Sequence, residues 1–235
     1  MTHAGRQLII VGAGETAQIA YEYFTHDSPH TIAGFAVEGA YIAERHLYGL
    51  PVVPLESLVE RYAPDEFGAY VAISYNSLNR VRSRLFGIVK NLGFRCESYV
   101  SSRAVIWPTA VIGENCFVFE SCIVQHHAQL RDDVTMWAGA TVTHRCRIGR
   151  DCFIGSGAVI NGLTTMGERC FIGANSSIGD RLSIADDTVI GMGAVVTKSI
   201  DAPGQLWVGN PARQVAGARV EDFGAPDPPA AGRRV

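Results

Sequence analysis

Aliphatic side chains recur at every sixth residue through the second half of the chain. A six-residue period does not keep one face of an α-helix apolar, because an α-helix repeats every 3.6 residues. It is typical of a parallel β-helix of hexapeptide repeats, in which an aliphatic residue and a small one point inward from each short strand. Glycine follows many of these aliphatic residues, and we expect it to ease the turn at each corner. The aliphatic series is Ile106, Ile112, Val118, Val124, Leu130, Met136, Val142, Ile148, Ile154, Ile160, Met166, Ile172, Ile178, Ile184, Ile190 and Val196.

The first hundred residues follow a different pattern, in which apolar strands alternate with amphipathic helices. The stretch RQLIIVGAGETAQIAYEYF predicts a strand, a glycine turn and a helix. TIAGFAV predicts a second strand and YVAISY a third, and SLNRVRSRLFGIVKNLG predicts a second helix with one apolar face. Strands that alternate with helices indicate a small parallel sheet, so this half is expected to be an α/β domain.

The turn after the first strand is a candidate binding site. Gly12 and Gly14 form a shortened dinucleotide-binding fingerprint, and the acid Glu38 follows the second strand. The domain ends after about one mononucleotide-binding half, so the motif is weak support for a nicotinamide cofactor. It is either a tight strand-to-helix turn or a site for phosphate or sugar groups at the positive end of the first helix. Asn76 and Arg80, after the third strand, are further candidates, because open α/β sheets bind ligands at strand ends.

Composition and charge exclude several classes of function. The chain has 235 residues, of which 47% are apolar and 18% charged, and its net charge is -3. It lacks the basic surplus of a nucleic-acid-binding protein. The apolar run from Leu8 to Ala13 is too short to span a membrane and lacks the features of a signal peptide. We therefore expect a cytoplasmic protein with no nucleic-acid or membrane partner.

The cysteines follow the same six-residue register. All but Cys96 fall two residues before an aliphatic position, in the small inward slot. Because a free cysteine behaves as a small apolar residue, core packing is a better interpretation than disulfides or a zinc site. A reducing compartment agrees with that interpretation. The five in register are Cys116, Cys122, Cys146, Cys152 and Cys170.

The order of these parts resembles one family. A short nucleotide-binding-like domain opening with IIVGAGETA, an uninterrupted hexapeptide repeat and the closing VGNPAR are similar to bacterial sugar acyltransferases related to sialic-acid O-acetyltransferase. That family includes N-acetyltransferases of nucleotide-linked amino sugars. The resemblance, over residues 7 to about 215, implies a small α/β Rossmann-like domain followed by a left-handed parallel β-helix. It also implies acetyl-CoA as donor, a sugar or nucleotide-sugar acceptor, no metal, and a homotrimer with active sites between subunits.

The expected domain boundaries follow from the repeat, and the resemblance implies the role of each domain. Residues 1–102 form a nucleotide- or sugar-binding domain, residues 103–200 the acyltransferase β-helix and residues 201–223 a segment with the GNPA motif. The tail at 224–235 is rich in proline and alanine and has no periodic apolar face, so we expect disorder there.

The resemblance also implies the catalytic residues. VTHRCRIG matches the family stretch that carries a catalytic histidine, at His144. Since three hexapeptides make one coil, residues 18 positions apart stack about 4.8 Å apart. His126 therefore lies below His144, and Gly162 lies above it. The backbone amide of Gly162 is the implied oxyanion hole, and neutral His144 is the implied general base for attack by a sugar amine or hydroxyl.

Arg145 departs from the family, in which many members have an acid immediately after the catalytic histidine. A cation that pointed inward there would depress the basicity of the imidazole. Three interpretations stay open: Arg145 faces solvent, Arg145 binds a substrate phosphate or carboxylate, or another acid orients His144. The candidate acids are Asp132, Asp133 and Glu120.

Four further residues are candidates for substrate contacts. Gly191 and Gly193, in VIGMGAVV, offer a smooth surface to the pantetheine arm of CoA, and Arg213 is placed to contact the CoA phosphates. His126 is either a surface or interface residue or a substrate contact. His127 is expected to be structural.

Two rival functions belong to other classes. Some trimeric β-helices that resemble carbonic anhydrase bind zinc through three histidines between subunits, and His126, His127 and His144 supply three imidazoles. Their spacing does not match, and a hydratase would not need the first domain. The other rival is a nucleotide-sugar sensor without catalysis, which would bind sugar nucleotides but not CoA.

Overall fold

The computed structural model describes residues 5–224. The first part is an α/β domain, and its expected α/β character is confirmed. None of the helices within residues 5–224 is long and apolar enough to cross a membrane. The elements are β1 (Gln7–Val11), α1 (Glu15–His26), β2 (Thr31–Val37), β3 (His46–Leu47), β4 (Leu50–Pro54), α2 (Leu58–Arg61), β5 (Phe67–Val71), α3 (Arg80–Asn91) and β6 (Arg95–Cys96), with 3-10 turns at Gly39–Tyr41, Leu55–Ser57 and Val220–Asp222.

The six strands of this domain form one sheet in the order β3-β4-β2-β1-β5-β6. Every pairing is parallel except that of the short edge strand β3 with β4. The central strand β1 is fully apolar and buried over its last four residues, as expected for a strand covered on both faces. The third strand is predicted over YVAISY, residues 70–75, but β5 spans Phe67–Val71, so the predicted strand begins and ends too far along the chain. The apolar residues that follow Val71 belong to a different contact.

The second part is a parallel β-helix. Strands 18 positions apart pair in register, for example Thr141 with Val159, so the predicted three-hexapeptide coil is confirmed. Face 1 contains β7 (Tyr99–Val100), β10 (Phe117–Val118), β13 (Thr135–Met136), β16 (Phe153–Ile154), β19 (Phe171–Ile172), β22 (Val189–Ile190), β24 (Leu206–Val208) and β25 (Arg213–Gln214). Face 2 contains β8 (Val105–Ile106), β11 (Ile123–Val124), β14 (Thr141–Val142), β17 (Val159–Ile160), β20 (Ser177–Ile178) and β23 (Val195–Val196). Face 3 contains β9 (Val111–Ile112), β12 (Gln129–Leu130), β15 (Arg147–Ile148), β18 (Thr165–Met166) and β21 (Ser183–Ile184).

The interior of the β-helix contains the side chains that the register predicted. From Val118 to Val196 the aliphatic series is buried, and all six cysteines are buried free thiols. The thiols of the five cysteines in the repeat donate to backbone carbonyls, as Cys146 does to the Asn161 carbonyl at 3.0 Å. Burial raises the pKa of the Cys116 thiol to about 12, which keeps it protonated and unreactive.

The glycines of the repeat have a different role from the one expected. A Cβ on Gly173 would lie 2.5 Å from the Met192 backbone nitrogen, so glycine is needed because the next coil passes close by. The left-handed turn residue lies two positions later and is usually not glycine, as with Asn175 at φ 55°. The corner therefore depends on polar residues that tolerate positive φ as well as on glycine.

The first domain packs on face 1 through aromatic rings. Tyr23 of α1 meets Phe117 and Phe119 edge-on, with centroids 5.8 and 5.0 Å away. Tyr75 meets Phe153 in the same manner at 5.0 Å. Tyr75 lies in the stretch that sequence alone placed in the third strand, so its apolar character serves the contact between domains.

A buried polar network lies beside this contact, at the edge between faces 3 and 1. Arg82 of α3 is 1% exposed, and its Nε donates to Asp133 Oδ2 at 2.9 Å. Asn115 donates to Asp133 Oδ1 at 2.7 Å and accepts from the Val71 N–H at 2.7 Å. Asp151 is also buried next to Asp133. Removing one member of such a pair commonly costs about 3–5 kcal/mol, so the network ties the two domains together.

The network predicts a pH-dependent stability. Burial raises the pKa of Asp133 to about 7, opposed by Arg82 and reinforced by Asp151. A raised pKa in the folded state means that the contribution of Asp133 is fully present below its unfolded pKa of about 4 and is lost as pH rises through about 7. We expect Asp151→Asn to reduce the loss of stability between pH 4.5 and 8, measured as the thermal midpoint. Asp65→Asn, at an exposed position, is the control. An unchanged pH dependence in Asp151→Asn would contradict the assignment.

Candidate functional site

One edge of the β-helix, between faces 2 and 3, carries the histidines, and we call it the histidine edge. Residues 18 positions apart form a column along it: Pro108, His126, His144, Gly162, Asp180 and Lys198. The rings of His126 and His144 stack with centroids 5.5 Å apart and an interplanar angle of 12°. The predicted vertical order of His126 and His144 is therefore confirmed.

The imidazole of His144 lies directly against Gly162. A Cβ on Gly162 would overlap Cε1 and Nε2 of that ring, so only glycine fits against the observed ring position. Within residues 5–224, the Gly162 N–H donates to no acceptor, although the Gly162 carbonyl accepts from the Arg181 N–H at 2.8 Å. The structure thus brings a titratable ring and an unpaired backbone donor together, as the coil register predicted.

The neighbours of His144 bear on the interpretations of Arg145. The backbone N–H of His144 donates to Gln125 Oε1 at 3.0 Å, which holds the corner in place. Arg145 is exposed at the left-handed turn position, with φ 57°, so it is not a buried cation beside the imidazole. This exposed position is compatible with both a solvent-facing side chain and a contact with a substrate phosphate or carboxylate.

The candidate acids lie on the other two edges. Glu120, between faces 1 and 2, accepts from the Tyr23 hydroxyl at 3.0 Å. Asp132 and Asp133 lie between faces 3 and 1, where Asp132 accepts from the Glu114 N–H at 3.0 Å. None of the three lies on the histidine edge of its own chain, so none of them orients His144 within one chain.

A second site is the cleft at the strand ends of the first domain. Its volume is about 780 Å³, and Gly12, Gly14, Glu38 and Asn76 all line it. Gly12 has φ 127°, and a Cβ there would lie 2.7 Å from the Ala72 carbonyl oxygen. Gly14 is the N-cap residue of α1, and no side chain at this position accepts a hydrogen bond from the first amides of the helix. The structure brings together four of the five residues that the sequence placed at strand ends.

Arg80 does not line the cleft, whereas Arg84 does. Arg80 Nη2 donates to Asp187 Oδ1 at 2.8 Å, which binds α3 to the β-helix. Arg84 comes one helical turn later and holds both carboxylate oxygens of Glu38 at 2.8 Å. Arg80 and Arg84 are four residues apart and share one helical face, so the sequence pattern did not distinguish them. Their positions along the helix axis do, because Arg80 reaches Asp187 and Arg84 reaches Glu38.

The candidates for CoA contacts lie on different edges of the chain. Gly191 and Gly193 flank Met192, which is 81% exposed, at the edge between faces 1 and 2. Arg213 lies exposed in β25, and its Nη1 donates to the Ala212 carbonyl at 3.0 Å. Gly162 lies on the histidine edge, so one chain does not bring all four together.

The histidines of one chain do not form a metal centre. His126 and His127 are both exposed, and their rings are nearly perpendicular at 79°. Across the described part of the chain, no group of three or more His, Cys, Asp or Glu side chains could hold a metal ion.

The repeats are similar to those of a known family. The bacterial transferase hexapeptide (six repeats) family matches residues 127–162 and 163–198, which lie within the β-helix. No curated protein sequence matches the chain significantly. By its repeats and fold, the chain is similar to bacterial sugar acetyltransferases of the hexapeptide-repeat type.

Solved structures give the particular likenesses. The acetyltransferase domain of PglB from Neisseria gonorrhoeae is 26% identical with a TM-score of 0.77, over 89% of this chain and 100% of that one. PerB from Caulobacter crescentus, solved with CoA and GDP-perosamine, is 25% identical with a TM-score of 0.78, over 89% and 97%. WeeI from Acinetobacter baumannii shares the fold at 24% identity and a TM-score of 0.76, over 90% and 100%.

Proposed function

We propose that this protein transfers an acetyl group from acetyl-CoA to an amino group of a nucleotide-linked sugar, with a hydroxyl acceptor as the alternative. The observation that carries the proposal is the contact of the His144 ring with Gly162, whose N–H has no acceptor within the described chain. The similarity to PerB, solved with CoA and GDP-perosamine, and to the PglB acetyltransferase domain, solved with acetyl-CoA, supports the donor and acceptor classes.

The proposed chemistry is a direct transfer. Neutral His144 accepts a proton from the sugar amine as the amine nitrogen attacks the thioester carbon. The Gly162 N–H donates to the carbonyl oxygen while negative charge develops on it. The new C–N bond forms, the C–S bond breaks, and the CoA thiolate takes the proton that His144 accepted. No covalent enzyme intermediate is needed.

We call the cleft at the strand ends of the first domain the acceptor cleft. The positions of this cleft and of the histidine edge indicate that the active site forms between copies of the chain. The first domain packs on face 1, and the histidine edge joins the other two faces, so the edge lies opposite that domain in a three-faced prism. A sugar held in the cleft of one chain therefore reaches His144 of another copy. Gly191 and Gly193 of a neighbouring chain are then available to line the path of the pantetheine arm.

The finer features of the fold belong to the same proposal. The β-helix is left-handed, the first domain is Rossmann-like, and the domains are residues 1–102, 103–200 and 201–223. The short strand Tyr99–Val100 already pairs with Phe117–Val118 of the β-helix. The tail from Ala225 onward lies outside the described residues. A cytoplasmic location, with its reducing conditions, suits the six free cysteines.

We expect the protein to be a homotrimer whose mass does not depend on reductant. Large apolar side chains are exposed around the histidine edge: Val105 on face 2 is 57% exposed, Trp107 at the corner is 55% exposed and Val111 on face 3 is 57% exposed. An interface between subunits would cover this apolar surface. Light scattering with and without dithiothreitol measures the mass. A monomer, or a mass that falls on reduction, would contradict the assembly.

The function is tested by thiol release from acetyl-CoA with a panel of nucleotide-linked amino sugars and free sialic acid. We expect release of free CoA with at least one nucleotide-linked amino sugar and formation of its N-acetyl product. Calorimetry with NAD is the counter-test for the first domain. Saturable NAD binding without acyl transfer, or bound zinc without acyl transfer, would overturn the proposal.

A further inference from the structure

The last described residues fold back onto the contact between the two domains. We call residues 220–224 the C-terminal strap, and they follow the stretch, ending at about residue 215, that resembles the sugar acyltransferases. The strap opens with the 3-10 turn at Val220–Asp222, after which the Phe223 N–H donates to the Val220 carbonyl at 3.0 Å. The strap lines neither the acceptor cleft nor the histidine edge, so the proposed reaction does not explain why it is held in place.

The strap is seated on apolar surface from both domains. Val220 is 5% exposed and packs in one cluster with Leu78 of the first domain. The centroid of the Phe223 ring lies 4.6 Å from that of Phe171 on face 1 and 5.9 Å from that of Tyr75. The strap therefore contacts the β-helix through Phe171 and the first domain through Leu78 and Tyr75.

In the first domain the strap holds the loop between β5 and α3, residues 72–79, which we call the cleft loop. Ser74 and Asn76 of this loop line the acceptor cleft. Leu78 is fully buried, and its N–H donates to the Phe223 carbonyl at 2.8 Å. This hydrogen bond joins the strap directly to the backbone of a wall of the cleft.

The cleft loop has a backbone conformation that needs support from its surroundings. Ser77, Leu78 and Asn79 have φ of 50°, 49° and 64°. Side chains other than glycine disfavour this left-handed region, which is normally visited by single residues. Three such residues in succession persist only where the surrounding structure holds them. Asn79 is held by the β-helix, because its Nδ2 donates to the Cys170 carbonyl at 3.4 Å, and Leu78 is held by the strap.

We propose that the C-terminal strap positions the cleft loop for binding of the acceptor, and that Phe223 is its anchor. The inference rests on the proposed function, since it takes the cleft to be the acceptor site. A seated strap keeps the loop in the conformation in which Ser74 and Asn76 line the cleft. When the strap is displaced, the loop relaxes toward ordinary backbone conformations, and the acceptor binds more weakly. The chemistry at His144 is unaffected, because the strap packs on face 1 and the histidine edge joins the other two faces.

Phe223→Ala in the full-length protein removes the ring that lies against Tyr75 and Phe171. A loop that keeps its binding conformation for about a tenth of the time binds a ligand about tenfold more weakly. We therefore expect KM for the best nucleotide-linked amino sugar to rise about tenfold, with kcat and KM for acetyl-CoA within about twofold of the wild type. A partly unfolded preparation would instead lower kcat and leave KM unchanged, so the rise in KM marks a positioning role.

Hydrogen exchange tests the contact between strap and loop without the reaction. The Leu78 amide is protected by the Phe223 carbonyl, so its exchange should become about tenfold faster in Phe223→Ala. Mass spectrometry of peptides that cover the cleft loop measures this rate. Peptides from face 2 of the β-helix, which the strap does not contact, should exchange as in the wild type.

Gly224→Ala is an independent variant that keeps the Phe223 ring. A Cβ on Gly224 would lie 2.5 Å from Tyr75 Cδ2, and Gly224 has φ 72°, so alanine should displace the strap and raise KM in the same way. Val215→Ala is the matched control, because Val215 is a 38% exposed apolar residue of the C-terminal segment outside the strap. It should leave loop exchange and KM within about twofold of the wild type.

The outcomes separate the strap from the proposed function. Unchanged exchange of the cleft loop in both strap variants would refute the contact as a support of the loop. Faster exchange with an unchanged KM for the acceptor would refute the positioning role. In both cases the proposed acetyl transfer stands. If the wild-type protein transfers no acetyl group to any acceptor of the panel, the proposed function fails, and the role of the strap in acceptor binding fails with it.

Discussion

Replacement of His144 by Ala is expected to lower kcat by about a hundredfold or more, which is the usual contribution of a positioned general base. The side chain lies outside the core at a corner of the coil, so its truncation opens no cavity. Affinity for acetyl-CoA should be retained, since the variant lacks a proton acceptor and not a binding surface. Steady-state kinetics of thiol release and calorimetry with acetyl-CoA measure the two quantities.

His126→Ala is the matched control for this variant. His126 is more exposed than His144, stacks on its ring and lies one coil farther from Gly162. We expect a much smaller decrease in kcat, with unchanged circular dichroism and oligomer mass in both variants. A dead His126→Ala enzyme beside a near-normal His144→Ala enzyme would show that the assignment of the active coil is wrong.

Gly162→Ala is expected to lower kcat by a comparable factor, because it displaces the His144 ring instead of removing it. The added Cβ would occupy the space that the His144 ring now fills, so the ring must rotate away. A displacement of about 1 Å of a catalytic group can lower turnover by about a hundredfold. The fold should survive, because the group that moves is the end of a side chain. Kinetics and the thermal midpoint are measured together.

The double variant His144→Ala/Gly162→Ala tests whether the added Cβ acts through the His144 ring, because the backbone amide of residue 162 is retained in both variants. With Ala at 144 the extra Cβ meets no imidazole, so the second substitution should add little to the first, and the two effects should be far from additive. Gly87→Ala, in α3 with open space around its Cα, controls for a simple glycine replacement. Additive effects would mean that Gly162 acts independently of His144.

Much of the fold was predictable because its signals are local and periodic. The six-residue series fixed the coil, and the coil fixed the position of Gly162 next to His144. The cysteine register predicted buried thiols for the same reason. Strand β4 was not predicted, since Pro51 and Pro54 interrupt its apolar pattern.

The acceptor cleft was predictable in part. Gly12, Gly14 and Glu38 converge because the carboxyl ends of parallel strands meet at one edge of a sheet. The sequence did not decide between Arg80 and Arg84, because residues four apart share one helical face. The packing of α3 decides, since it brings Arg80 to Asp187 of the β-helix and Arg84 to Glu38 of the cleft.

The sequence by itself determined the hexapeptide coil, the α/β character of the first domain and the pairing of His144 with Gly162, because each depends on the spacing of residues along the chain. The same spacing places Glu120, Asp132 and Asp133 on other edges than His144. Only the tertiary structure decided that the first domain packs on the face opposite the histidine edge and that Arg82 of α3 pairs with Asp133. Those outcomes depend on side chains that are far apart in the sequence and meet only in the contact between the domains. The aromatic rings of face 1 are such side chains.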